Sequence, residues 1–88
     1  MATRQSVDEH ISHAREVIAQ AEDQLEQARQ QKASMASDYT NAQLLLDDEA
    51  NEIEQVIHSA SPEQRDPLYR ILHQLRQTQN NMIMKYKE

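Results

Sequence analysis

Apolar residues in this chain recur at spacings of three and four in three separate stretches. The first holds Val7, Ile11, Ala14, Ile18, Ala21, Leu25 and Ala28, and the second Leu46, Ala50, Ile53, Ile57 and Ala60. The third holds Leu68, Leu72, Leu75, Met82 and Tyr86, widened by Ile71 and Ile83. A face of a helix with 3.6 residues per turn repeats in this way, so each stretch predicts an amphipathic helix. In the first, large residues (Ile11, Ile18, Leu25) alternate with alanines. Such a seam lets helices approach closely but supplies little apolar volume.

Capping signals set the boundaries. Ser6 with Glu9 three residues on reads as a capping box, giving a first helix over residues 6–32. It should run about 40 Å at ~1.5 Å per residue. Lys32 falls where the next large apolar residue belongs, and Ser37 or Asp38 caps a second helix over 38–60. Ser61-Pro62-Glu63-Gln64 combines a cap, a first-turn Pro and a capping-box Gln, opening a third helix over 62–87. Pro67 would lack a hydrogen bond there and crowd the Glu63 carbonyl, so a break or kink is expected near residues 66–67.

Short linkers between such helices make neighbours antiparallel. The expected fold is therefore all-α, one domain over residues 1–88, an up-down-up three-helix bundle with coiled-coil-like packing. Folding back about residue 61 sets Ala50 against Leu72 and Leu46 near Leu75 or Arg76. It also brings Gln43 to Gln79, a polar layer that would fix register. Folding the first helix back about residue 36 sets Leu25 near Leu46, Ile18 near Ile53 and Ala14 near Ile57.

Charge sharpens this picture. Residues 38–54 hold Asp38, Asp47, Asp48, Glu49, Glu52 and Glu54, with no Lys or Arg between Lys32 and Arg65. Residues 65–87, most of the third helix, hold Arg65, Arg70, Arg76, Lys85 and Lys87 against Asp66 alone. This stretch is the electrostatic complement of the second helix. The whole chain has a formal charge of −6, which argues against a nucleic-acid partner. With no Gly there is no glycine-rich phosphate loop, and with no Cys no disulfide, thiol chemistry or Cys-based zinc site. The polar N-terminus precedes no long apolar run, so neither a signal peptide nor a membrane association is expected, and a cytoplasmic location is.

Candidate chemistry is sparse. His10 and His13 are adjacent on the first helix, and the fold-back brings His58 to the same end, which makes these three the candidate metal ligands. His13 and His58 fall on outward positions and His10 on the seam's flank, so solvated histidines are the simpler reading and no metal or other cofactor is expected. Glu-x-x-His pairs of di-iron bundles and the His-Glu-x-x-His pattern are both absent. The carboxylates from Asp47 to Glu54 read as a solvated face. Ser12 beside His13 is only a sequential neighbour, and neighbours on a helix point apart, so no enzyme is expected. The segment from Asn80 to Lys87 places apolar residues all round its helix. With Met35 and Tyr39 at the same end, Ile83, Met84 and Tyr86 form a candidate surface for a protein partner or a second copy of the chain.

The opening Met-Ala-Thr-Arg-Gln-Ser-Val, the stretch Tyr39-Thr40-Asn41-Ala42-Gln43 and the Gln-rich last helix resemble a family of small uncharacterised helical proteins from spore-forming bacilli, a domain of unknown function. The resemblance spans nearly the whole chain. It implies a bacterial cytoplasmic protein and brings no catalytic residues with it.

Overall fold

The computed structural model describes the backbone of residues 4–31 and 35–87, and the side chains of residues 4–27 and 40–82. The described residues form three helices: α1 (Arg4–Gln31), α2 (Met35–Ser59) and α3 (Pro62–Lys87). Each packs against the other two, in a rod of 45 × 19 × 14 Å. The N-terminal halves of α1 and α3 share a groove, flanked by Asp8, Ile11 and Arg15 on one side and Pro67, Ile71 and Gln74 on the other. These two helices therefore run parallel, with α2 antiparallel to both. The bundle is all-α and up-down-up.

α1 begins at Arg4 rather than at Ser6, so Ser6 lies within its first turn and is not its cap. The α2–α3 junction does follow the capping signal. The Ser61 amide donates to Gln64 Oε1 at 3.0 Å, and the Ser61 carbonyl accepts from the amides of Gln64 (3.0 Å) and Arg65 (3.2 Å). That start holds the helix through the proline: α3 passes Pro67 without a break. Pro67 and Glu63 are both exposed, a setting in which solvent can take up a carbonyl left without its amide donor.

The core is built from Val7, Ala14, Val17, Ala21 and Leu25 of α1, then Ala42, Leu46, Ala50, Ile53 and Ile57 of α2 with Ala60 after it, and Leu68, Ile71, Leu75 and Met82 of α3. The middle helix buries its whole expected stripe. On α1 the seam is rotated from the expected one. Val17 is buried, while Ile11 and Ile18 are only half-buried and pack against the core from its edge. Val17 lies three residues after Ala14 and four before Ala21, so it satisfies the same periodicity. A helix facing two partners buries a wider arc than one stripe. On α3, Ile71 and Leu72 exchange ranks for the same reason, Ile71 being buried and Leu72 half-buried.

Between α1 and α2 the register differs from the expected fold-back about residue 36. His13 of α1 meets Glu49 of α2, where a reversal about residue 36 would set His13 beside His58. The reversal falls earlier, because α1 ends at Gln31 and α2 has already begun at Met35. Between α2 and α3 the reversal falls at residues 60–61, since α2 ends at Ser59 and α3 begins at Pro62, and the long side chains of Arg76 and Glu54 meet on this seam. Gln43 and Gln79 are both half-buried.

Candidate functional site

The polar feature that stands apart is on the α1–α2 seam. Glu49 is the one charged or polar residue in the core among the described residues, 3 % exposed. It lies three residues after Leu46 and four before Ile53, so the periodicity that buries those two buries it as well. Removing a carboxylate from water costs several kcal/mol unless a partner replaces the lost hydration, on the order of the effective penalty for a buried ion. His13 is that partner: its Nδ1 lies 2.7 Å from Glu49 Oε2 and 3.0 Å from Oε1. The imidazole is more than half exposed and reaches inward from α1.

Glu52, one turn along α2, completes the cluster. One ligand atom from each of His13, Glu49 and Glu52 lies within 4.8 Å of the other two. The acidic surroundings favour the charged imidazole. The hydrogen bond to Glu49 raises the His13 pKa above its ordinary value, partial burial opposes this, and the charges of Glu49, Glu52 and Glu16 add to the rise. Beside the cluster, a shallow open groove along α1, lined by Asp8, Glu9, Ser12, His13 and Glu16 with Arg4 and Gln5, leaves His13 accessible from solvent.

The expected solvated acidic face is therefore corrected at Glu49, which is core, and at Glu54, which is half-buried against Arg76. Of the three candidate histidines, His13 joins a cluster, but with carboxylates. His10 is half-buried and His58 exposed, and neither belongs to the His13 group. The sequence did carry a signal for Glu49 in its place on the Leu46–Ile53 stripe. Five other acids nearby masked it, because an acid at a seam position is normally assigned to the surface.

The other expected site, the partner surface of Met35, Tyr39, Ile83, Met84 and Tyr86, lies outside the residues whose side chains are described. Near it, Leu44 of α2 is 56 % exposed and is one of two large exposed apolar residues among the described ones, with Tyr69. None of the helices, over the described residues, is long and apolar enough to cross a membrane.

A small all-α chain with this three-helix order fits a known sequence family. Residues 1–84 match the family described as "Protein of unknown function (DUF2524)", and the chain belongs to it. Among curated proteins it is similar to the "Uncharacterized protein YtzC" of Bacillus subtilis (strain 168), with 41 % identity over 86 residues, covering 98 % of this chain and 96 % of that one. No solved structure matches.

Proposed function

We propose that this protein is a non-enzymatic helical interaction module, which acts by binding a protein surface or a second copy of itself through the end of the bundle where α2 begins and α3 finishes. The observation that supports this reading is the exposed Leu44, set beside the half-buried Leu45 and the core residue Leu46 on that end of α2. A single exposed leucine is ordinary. This one stands at the end that also holds Met35, Tyr39, Ile83, Met84 and Tyr86, where the sequence concentrates more apolar residues than one seam can hide. Apolar area gathered in one place is what marks contact surfaces. An alanine-rich α1 adds a motive, since a small domain with a thin core gains stability by associating. A solvated site for chemistry is not needed by this reading, and a cytoplasmic setting suits it.

The test is sedimentation velocity over a hundredfold range of protein concentration, with thermal melts at each end of the range. Self-association raises the melting temperature with concentration. Changing Leu44, Ile83 and Met84 together to Gln should abolish that rise and any capture of a partner from the native host, with the helical signal intact. A variant that behaves as wild type in both assays would end the proposal.

A further inference from the structure

We propose that His13, Glu49 and Glu52 form a divalent-cation site that ties α1 to α2, taking a borderline first-row ion with Zn²⁺ as the best fit. This goes beyond the interaction reading and does not depend on it.

The ligand set decides the class of ion. One imidazole nitrogen and two carboxylates suit Zn²⁺ and its first-row neighbours, whereas Mg²⁺ and Ca²⁺ prefer oxygen alone. The spacing decides that little rearrangement is needed. In a tetrahedral zinc site, with bonds of ~2.0–2.2 Å, neighbouring ligand atoms stand about 3.3 Å apart. His13 Nδ1 and the Glu49 oxygens are at 2.7 and 3.0 Å, and the Glu52 carboxylate is within 4.8 Å. A cation entering between His13 and Glu49 takes the place of the shared hydrogen, with small outward movements of exposed side chains. Water fills the fourth position.

The electrostatics point the same way. Glu49 is buried, and the cationic partner it has among the described residues is the single His13 imidazole, which also feels the charges of Glu52 and Glu16. The cluster carries more negative charge than one imidazolium offsets. A divalent ion would balance it and would satisfy the oxygen lone pairs that burial has removed from water. Access is open, because His13 borders the groove along α1 whose wall includes Asp8, Glu9 and Glu16. An anchored ion joining two helices also supplies what a short chain without Cys lacks, a crosslink independent of apolar volume.

The experiment uses the full chain purified without a histidine tag, stripped with EDTA and dialysed free of it. Zinc chloride is titrated calorimetrically in a non-coordinating buffer at neutral pH, with melts run in parallel. One Zn²⁺ per chain is expected, with a rise in melting temperature of at least about 5 °C at saturating zinc. His13→Gln and Glu52→Gln alter exposed positions and should keep the helical signal while weakening zinc binding by about tenfold or more each. Doubly changing His10→Gln and His58→Gln should leave binding as it was, and Mg²⁺ at equal concentration should give no shift. No uptake of zinc would overturn the proposal. So would wild-type affinity in both His13→Gln and Glu52→Gln, loss of binding only in the His10 and His58 variant, or an equal response to Mg²⁺.

Discussion

α2 meets α1 and α3 by different physical means. Towards α3 the partner residues are large and apolar: Leu68, Leu75 and Met82 are almost wholly buried, and Ile71 nearly so. The charged contact on that side, Arg76 with Glu54, is left at the surface, each side chain roughly half exposed. Towards α1 the order is inverted. α1 brings Ala14 and Ala21 to the core, with only Val7, Val17 and Leu25 larger, and the charged contact, His13 with Glu49, reaches into the core. α1 also holds Gln24 Oε1 away from solvent, with no hydrogen-bond partner among the described residues. Apolar volume holds the third helix in place, while close approach and a polar anchor hold the first. An anchor of that kind fixes position more than it stabilises, because desolvation of Glu49 consumes most of what the contact with His13 returns.

The sharpest way to break this contrast is to change side-chain size on each side. Leu75→Ala should lower stability by about 2–5 kcal/mol, since it empties fully buried volume. On α1 the vulnerable direction is enlargement: Ala21→Leu should cost about 1–3 kcal/mol by forcing the helices apart. Urea melts of both variants give the comparison. An Ala21→Leu variant as stable as wild type would show that α1 is not closely packed.

A smaller effect separates the two charged contacts by pH. The folded-state pKa of His13 is raised, chiefly by its hydrogen bond to Glu49. Its contribution is therefore fully present below the ordinary histidine pKa and is lost as pH rises through the elevated folded value. In metal-free protein, stability should fall over this window by about 0.2–1 kcal/mol, the scale of a pair with one solvated member. His13→Gln should remove the slope, and Arg76→Gln should leave it. A slope that persists in His13→Gln would place the titrating group elsewhere.

The smallest effects concern register. A double-mutant cycle on Glu54 and Arg76 should give a coupling of about 0.2–1 kcal/mol that shrinks as salt is added. Leu replacements at Gln43 and Gln79 should couple by about 0.5 kcal/mol or more if the two amides form the expected polar layer. Effects that add to within about 0.3–0.5 kcal/mol would show that the two glutamines do not touch and end the polar layer.

Much of this molecule is written locally. Leu46, Ala50, Ile53, Ile57 and Ala60 are all buried as their spacing requires, and Ser61 with Gln64 forms the helix start that the motif encodes. Helical periodicity and capping are properties of a few neighbouring residues, so the chain by itself determines three helices, the buried face of α2 and, through short linkers, the alternating directions of the three. That Val17 and not Ile18 is buried, and that His13 finds carboxylates and not His58, were decided only by tertiary structure. The reason is degeneracy. Repeats of three and four residues bury acceptably in several registers one turn apart, and local sequence ranks these almost equally. The choice among them comes from the contacts each helix makes with both neighbours at once, which are not a property of any one segment.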